Sequence, residues 1–298
     1  MRPLILLSIV FCFRSLAAAD FEAGKRAYEA HDYATAFHEF QTLSESGDAQ
    51  SQYYLGQLYR LGQFVAKDIT QAARWYRESA AHGYADAQNA MGNLYSAGLG
   101  VPVDYAEALR WYRLAVAQNL SKAKANLGRL YENGLGVKRN YEEAVKWYRL
   151  AADSGDPNGQ SKLGGAYDRG HGVPRDRTEA VKWFRLAAEQ GYAEAQYNLG
   201  NMYETGQGVE RDYQQALKWY RAAAEQDYAF AECNLGCLYA KGLGVPRDTS
   251  EAANWYRRAA GHGDDMAKRN LEVIERGLPS AQSQPGILEQ LANTLQRH

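Results

Sequence analysis

Residues 192–227 read YAEAQYNLGNMYETGQGVERDYQQALKWYRAAAEQD, and the chain contains six units of this 36-residue pattern. The six tryptophans mark the period, because each lies 36 residues from the next: Trp75, Trp111, Trp147, Trp183, Trp219 and Trp255. A leucine-glycine or methionine-glycine pair precedes each tryptophan at a constant distance. Self-similarity at this period predicts a solenoid, in which each unit buries its apolar face only against its neighbours.

The first half of each unit predicts a helix, here called helix A. Ala195, Leu199 and Tyr203 recur at four-residue spacing and therefore share one helical face. Gly200 stands in the middle of this helix, where glycine costs about 1 kcal/mol relative to alanine. Its recurrence in all six units indicates that a neighbouring helix approaches too closely there for a side chain.

The second half predicts helix B, which begins at an aspartate or asparagine after a glycine-containing turn. Glu or Gln follows three residues later in every unit, which predicts a capping box in which both side chains satisfy backbone N–H groups. The six start residues are Asp68, Asp104, Asn140, Asp176, Asp212 and Asp248. Helix B ends at glycine in four units and at Asn119 and Asp227 in the others, which are the residue types that best tolerate left-handed backbone after glycine.

The motifs Leu-Gly-x-x-Tyr, Gly-x-Gly-Val, Asp-x-x-x-Ala and Trp-Tyr-x-x-Ala-Ala together resemble the Sel-one-like repeat, a relative of the tetratricopeptide repeat. The resemblance implies an all-α fold, a right-handed superhelical solenoid of antiparallel helix pairs, and it covers residues 48–263 as six full units. Residues 20–47 are expected to form a degenerate leading repeat, and residues 264–277 a polar capping helix. Residues 278–298 predict a linker and a short tail helix, which either folds back or frays, or docks on a partner.

The N-terminus predicts export. Residues 1–19 combine Arg2, a short apolar run and an Ala-Ala-Ala site before Asp20, the features of a secretory signal peptide. The apolar run is shorter than the roughly 18 residues of a membrane helix, although an uncleaved anchor remains an alternative. We expect a periplasmic or secreted monomer with no transmembrane segment after signal removal.

Charge argues against nucleic-acid binding. Removal of the signal deletes Arg2 and Arg14 and no acidic residue, so the formal net charge changes from −1 to −3. Binding to nucleic acid through counterion release requires a basic surface, and this composition supplies none overall. We therefore expect no nucleic-acid partner.

Comparison of the units with one another separates scaffold positions from candidate site positions. Three helix A positions change identity between units and lie three or four residues apart, so they share one face. The resemblance implies that this face lines a concave groove in which a protein or peptide partner binds. The candidate groove residues are Tyr53, Gln57, Arg60, Asn89, Asn93, Arg129, Glu132, Asp168, Tyr197, Asn201 and Glu204. Alternatively, these positions vary because solvent imposes no constraint on them.

Three further patterns favour structural explanations. A basic residue precedes most of the tryptophans, and this ridge suits anionic glycans or lipid headgroups, but glutamates at i,i+3 spacing favour a solvated, self-paired face. Cys233 and Cys237 stand one turn apart without a nearby histidine, so a local disulfide or free thiols are favoured over a metal site. We expect no metal, no cofactor and no catalytic residue.

The pattern Ser121-x-x-Lys124 matches the S-x-x-K of serine penicillin-recognising enzymes, but the companion S-D-N and K-T-G elements are absent. The sequence therefore favours an exported adaptor or regulatory scaffold without enzyme activity. A hydrolase acting on β-lactam or cell-wall substrates is the alternative from a different class.

Overall fold

The computed structural model describes residues 19–276, and every regular element in that range is an α-helix. The predicted signal peptide and the predicted tail helix lie outside the described residues. Contacts divide the chain into two compact units that meet in sequence at Gln118 and Asn119. The described part of the first unit contains α1 (Phe21–Glu29), α2 (Tyr33–Glu45), α3 (Ala49–Leu61), α4 (Ile69–Ala81), α5 (Ala85–Ala97) and α6 (Tyr105–Ala117).

The described part of the second unit contains nine helices. These are α7 (Ser121–Asn133), α8 (Tyr141–Ala152), α9 (Pro157–Arg169), α10 (Arg177–Glu189), α11 (Ala193–Thr205), α12 (Tyr213–Ala224), α13 (Ala229–Lys241), α14 (Thr249–Gly261) and α15 (Asp265–Glu275). Within each unit, every helix packs against the next one along the chain. Odd-numbered helices from α3 to α13 are the predicted helices A, and even-numbered helices from α4 to α14 are the helices B. The predicted all-α solenoid of antiparallel helix pairs is confirmed.

The residue after each tryptophan fills the core of its repeat. Its ring is almost completely buried in all six repeats, as Tyr76, Tyr112, Tyr148, Phe184, Tyr220 and Tyr256. The ring lies against the helix A glycine of the same repeat, where a Cβ atom would approach a ring carbon to between 2.4 Å (Gly92) and 2.9 Å (Gly164). The predicted close approach at this glycine is confirmed, and its partner is an aromatic side chain.

The aspartate half of the predicted capping box is confirmed, and the glutamate half is wrong. Asp104 Oδ1 accepts hydrogen bonds from the backbone N–H groups of Ala106 at 2.9 Å and Glu107 at 3.0 Å. The backbone N–H of Asp104 already donates to the carbonyl of Tyr95 at 3.0 Å. Because no donor is left for it, the Glu107 carboxylate pairs with Arg110 at 2.9 Å instead.

The predicted left-handed ends of helix B are confirmed at Asn119, with φ 65°, and Asp227, with φ 59°. At the second glycine of the A–B turn, Phe64 replaces glycine in the first repeat and keeps the same left-handed backbone, with φ 65°. In the part of the chain that the structure describes, none of the helices combines the length and apolar character required to cross a bilayer.

Candidate functional site

The candidate groove residues contact the hydroxyl groups of the buried tyrosines. Tyr112 donates to Asn93 Oδ1 at 2.8 Å, and Tyr148 donates to Glu132 Oε2 at 2.6 Å. Tyr220 lies within hydrogen-bond distance of both Asn201 Oδ1, at 2.5 Å, and Glu204 Oε2, at 2.6 Å. Four candidate residues thus contact the hydroxyl group of a buried tyrosine: Asn93, Glu132, Asn201 and Glu204.

One repeat lacks both the hydroxyl of the buried ring and the amide acceptor on helix A. Among the six buried rings that follow the tryptophans, Phe184 alone has no hydroxyl. Its repeat has Gly165 at the position that Asn93 and Asn201 occupy in their repeats. The remaining candidate acceptor of that repeat, Asp168, is bound by Arg177 Nε at 3.1 Å. A hydroxyl at residue 184 would thus lack the amide acceptor that Tyr112 and Tyr220 use. Some of the differences between repeats at these helix A positions therefore depend on whether the buried ring carries a hydroxyl, and not on a binding partner.

In the first unit, three candidate residues form one hydrogen-bonded chain. Gln57 Nε2 donates to the hydroxyl of Tyr53 at 2.6 Å, and Arg60 Nε donates to Gln57 Oε1 at 2.9 Å. The Tyr53 ring lies 5.3 Å from the ring of Tyr84, measured between centroids. All three chain members are partly exposed, so their arrangement is fixed while they stay accessible to a partner.

One of the three variable positions is largely buried. Asn89 is 8% exposed and Ser161 2%, whereas Tyr53 and Tyr197 at the equivalent position remain partly exposed. This helix A position lies close to the neighbouring helices. A short side chain there is therefore buried, and only a tyrosine is long enough to reach the surface. Asn89 therefore offers a partner little surface, and the sequence pattern alone does not reveal this.

In the second unit, two candidate acids are neutralised by neighbouring arginines. Glu132 Oε1 pairs with Arg169 at 3.3 Å, and Asp168 Oδ1 pairs with Arg177 at 3.1 Å. Burial and the Glu132 carboxylate raise the pKa of Tyr148, so its hydroxyl stays a proton donor. Arg129 is partly exposed on the same helix as Glu132. This part of the face presents a mixed-charge surface whose ion pairs are already made.

Two aromatic residues that the sequence analysis missed extend the face in the second unit. Tyr228 and Phe230 flank the start of α13, and their rings lie 5.4 Å and 6.1 Å from that of Tyr197. Phe230 is 59% exposed. The sequence contains a signal for Phe230, because this repeat has an aromatic residue where the other repeats have Gln, Asp, Lys, Asn or Glu.

A second missed feature is a polar contact that each helix A makes with its two flanking helices B. Gln196 Nε2 donates to the carbonyl of Ala188 at 3.2 Å, and its Oε1 accepts from Gln226 at 2.8 Å. Lys124 replaces this glutamine in its repeat, and its Nζ donates to Asn119 at 2.6 Å and Ser154 at 3.3 Å. This glutamine position is thus structural.

The contacts of Lys124 at this position argue against the hydrolase alternative. A catalytic lysine of the S-x-x-K type must act on its serine, but Lys124 is 7% exposed and its ammonium group is held by Asn119 and Ser154. We therefore interpret Ser121-x-x-Lys124 as a chance match in which the lysine stabilises the contact between helices.

Glu232 takes the glutamine position in the last repeat and is the buried carboxylate of an otherwise exposed ion cluster. Its side chain is completely buried and lies 3.1 Å from Arg258 and 2.9 Å from His262. Asp227 also pairs with Arg258, at 3.1 Å. Among the residues from 19 to 276, Asp227, Glu232 and His262 are the group whose ligand atoms lie close enough together to hold a metal ion. Because the Arg258 guanidinium already lies between the two carboxylates, we interpret this group as an ion-pair network.

The basic ridge of helix B is self-paired, as the sequence favoured. Lys146 pairs with Glu143 at 3.1 Å and Lys182 with Glu179 at 2.8 Å, and both lysines are exposed. Cys233 and Cys237 are free thiols in this structure. Cys237 accepts a hydrogen bond from the hydroxyl of Tyr256 at 3.2 Å, so it occupies the acceptor position that Asn93 and Asn201 fill elsewhere.

Two open clefts of 680 and 530 Å³ lie in the second unit, at the A–B turns. They are the same cleft in two repeats, because each lining residue of one lies two repeat lengths along the chain from a lining residue of the other. The first is lined by Tyr131, Val137, Lys138, Arg139, Asn140, Tyr141, Glu142 and Gly172, and the second by Tyr203, Val209, Glu210, Arg211, Asp212, Tyr213, Gln214 and Gly244. A cleft that recurs with the repeat follows from the packing of the turns, and neither cleft contains a candidate groove residue.

Solved structures show the same fold. A protective antigen present in uropathogenic Escherichia coli strains, which displays an SLR fold, is 39% identical, with 82% of this chain and 53% of that chain covered and a TM-score of 0.65. This chain therefore spans about half the length of that antigen. A Sel1 repeat protein from Oxalobacter formigenes is 34% identical, with 82% of this chain and 97% of that chain covered and a TM-score of 0.71.

An immunity protein from Pseudomonas aeruginosa, Pa5087, is 22% identical, with 72% of this chain and 81% of that chain covered and a TM-score of 0.53, which shows likeness of fold alone. No protein with a curated description matches this chain. The Sel1 repeat profile matches residues 49–84, 85–120, 121–156, 157–192, 193–228 and 229–264. With six matched repeats and the helix pairs that they form, this chain belongs to the Sel1 repeat family.

Proposed function

We propose that this chain is an exported scaffold without enzyme activity, and that it binds a segment of another protein through the variable face of its helices A. The observation that carries the proposal is that polar and aromatic side chains on this face are partly exposed yet held in place by hydrogen bonds to a buried tyrosine or to one another. Asn201 and Glu204 are fixed by the Tyr220 hydroxyl, and Gln57 is fixed by Tyr53 and Arg60.

Such preorganisation favours binding, because association then costs less side-chain entropy. The open A–B clefts do not argue for catalysis, since an active site requires convergent polar groups in a concave and largely enclosed pocket. Repeat scaffolds of this class commonly mediate protein interactions through extended surfaces. An adaptor or regulatory role is therefore the function that the surface supports best.

Site-specific photo-crosslinking tests the binding face. A photo-reactive amino acid replaces Gln57 or Asn201 on helices A, and Arg110 or Lys182 on helices B in matched control proteins. We expect one protein to be captured at the helix A positions and not at the helix B positions. Equal capture at both faces, or capture only from helices B, would contradict the proposal.

The identified partner then allows a direct measurement. Alanine or charge-reversal changes at Asn93, Arg129, Glu132 and Asn201 should together weaken its binding at least tenfold, which corresponds to about 1.4 kcal/mol. Unchanged affinity for the partner would contradict the proposal that this face binds it.

Export is tested separately. We expect the mature protein, produced in a bacterium, to begin at Asp20 when its N-terminus is read by mass spectrometry. Recovery of the full chain from the cytoplasm would refute export while leaving the binding proposal intact.

A further inference from the structure

Three aromatic residues of the second unit form a partly exposed surface, here called the Phe230 cluster: Tyr197, Tyr228 and Phe230. The ring centroids of Tyr228 and Phe230 are 5.8 Å apart, and both rings contact Tyr197. Phe230 is 59% exposed although it makes these contacts. An exposed aromatic group at this density is a frequent mark of a binding site in a soluble protein.

A carboxylate without a cationic partner is connected to the cluster through Tyr220. The ring of Tyr220 lies 5.9 Å from that of Tyr197, and the Tyr220 hydroxyl contacts Glu204 at 2.6 Å. Within residues 19–276, Glu204 makes no ion pair, whereas its counterparts Glu132 and Asp168 are paired with arginines. Glu204 is thus the acid of this row whose charge no neighbouring side chain in that range compensates.

Asn201 shares the Tyr220 hydroxyl with Glu204. Asn201 Oδ1 contacts the Tyr220 hydroxyl and also accepts a hydrogen bond from Asn234 at 3.1 Å. Burial raises the pKa of Tyr197, and it raises the pKa of Tyr228 to about 12, so both hydroxyls are neutral at physiological pH. The surface therefore combines electron-rich ring faces with one negative charge.

The first unit shows which group suits such a surface. Arg60 occupies the repeat position of Glu204, and Tyr53, Tyr76 and Tyr84 occupy those of Tyr197, Tyr220 and Tyr228. Burial raises the pKa of Tyr76, and the nearby Arg60 guanidinium opposes that rise. In the first unit the chain's own arginine therefore lies near Tyr76, which corresponds to Tyr220.

We propose that the Phe230 cluster and Glu204 form a subsite for an arginine side chain of the partner protein. A guanidinium group stacks on aromatic rings and donates two parallel hydrogen bonds to a carboxylate, so it satisfies both parts of this surface. An anionic group is repelled by Glu204, and an apolar group leaves the carboxylate without a cation. The proposal rests on the proposed binding face and names the partner chemistry for one part of it.

The test uses the purified full chain and N-acetyl-arginine methylamide as the probe, with titration followed by NMR. The lysine and citrulline derivatives are titrated in parallel, since citrulline keeps the shape of arginine but has no charge. We expect saturable millimolar binding of the arginine derivative, with weaker binding of lysine and none of citrulline. Shift changes should centre on Tyr197, Tyr228 and Phe230.

Matched variants assign the site. Glu204→Gln should weaken arginine binding at least tenfold, whereas Glu179→Gln, which removes a helix B acid already paired with Lys182, should leave it unchanged. Phe230→Ala should also weaken it, and because this ring is exposed the variant is expected to fold. Equal binding of citrulline, unchanged binding by Glu204→Gln, or no saturable binding of arginine would each overturn the proposal.

The outcomes separate this inference from the proposed function. If helix A positions capture a partner while the arginine probe fails, the subsite is wrong and the binding face stands. If the probe binds but no partner is captured at Gln57 or Asn201, the proposed function fails and the affinity of the surface for guanidinium remains a measured property.

Discussion

Gly200 lies so close to the ring of Tyr220 that a Cβ atom on the glycine would be 2.6 Å from two of its ring carbons. The same relationship holds between glycine and aromatic ring in all six repeats. It sets the distance between helix A and helix B, and it thereby places Asn201 and Glu204 above the Tyr220 hydroxyl.

The first prediction concerns this contact. Gly200→Ala should lower the urea midpoint of unfolding, because overpacking costs about 1 to 3 kcal/mol and outweighs a gain of about 1 kcal/mol in helix propensity. Gly261→Ala is the control, since Gly261 is helical and a Cβ there would meet nothing within 4 Å. That variant should raise the midpoint. A stabilised Gly200→Ala protein would contradict the packing argument.

The second prediction concerns the missing hydroxyl. Phe184→Tyr should destabilise the protein by about 1 to 3 kcal/mol, because a buried hydroxyl would lack its amide acceptor. The double variant Gly165→Asn with Phe184→Tyr recreates the pairing of Asn93 with Tyr112 and should recover part of the loss. Thermal unfolding of the single and double variants gives the coupling. No recovery in the double variant would show that the hydroxyl and its acceptor are not linked.

The third prediction concerns the ion cluster around Glu232. Arg258→Met should destabilise the last repeat by about 2 kcal/mol or more, because the buried carboxylate of Glu232 loses its cation. Adding Glu232→Gln should restore stability, since glutamine is the residue found at this position in four other repeats. Urea denaturation followed by tryptophan fluorescence measures both effects. Equal stability of the two variants would contradict the prediction.

The fourth prediction concerns pH. Burial raises the pKa of Asp156, so its ionised form is disfavoured in the folded protein, and stability from this group is lost as pH rises through the folded pKa. Asparagine caps a helix about as well, so Asp156→Asn should gain stability relative to the parent protein as the pH rises above about 4, the unfolded pKa of aspartate.

Asp32→Asn is the control with the opposite sign. Hydrogen bonds from Thr35 lower the pKa of Asp32, so its ionised form stabilises the fold above the unfolded pKa. This variant should lose stability relative to the parent as the pH rises to about 4, the unfolded pKa of aspartate, and the difference should stay constant above it. Parallel pH profiles for the two variants would refute both assignments.

The fifth prediction concerns the thiols. Hydrogen bonding by the Cys233 thiol, and by the Tyr256 hydroxyl, lowers the pKa of Cys237, whereas the same hydrogen bond and burial raise the pKa of Cys233. Iodoacetamide should therefore modify Cys237 first. In Cys233→Ala the pH of half-maximal alkylation at Cys237 should rise, because its hydrogen-bond donor is gone. Mass spectrometry of the modified peptide reports the site, and preferential labelling of Cys233 would disprove the arrangement.

Much of the fold was predictable from the sequence, because its signals are local and occur six times. The glycine inside helix A, the aspartate that begins helix B and the left-handed residues Asn119 and Asp227 each specify backbone geometry within a few neighbours. Errors arose where a distant group competes for the same atom. The predicted capping box failed because the carbonyl of Tyr95 takes the N–H of Asp104.

The sequence by itself determined the repeat, the helix pairs and the face on which the repeats differ, since periodicity and backbone preference require no knowledge of what lies across the interface. Only the tertiary structure decided the use of each variable side chain. It buries Asn89, commits Lys124 to Asn119 and Ser154, and pairs Glu132 with Arg169. It also leaves Glu204 in contact with the Tyr220 hydroxyl and without an ion-pair partner in residues 19–276. The physical reason is that burial and charge compensation depend on residues 30 or more positions away, which only folding brings into contact.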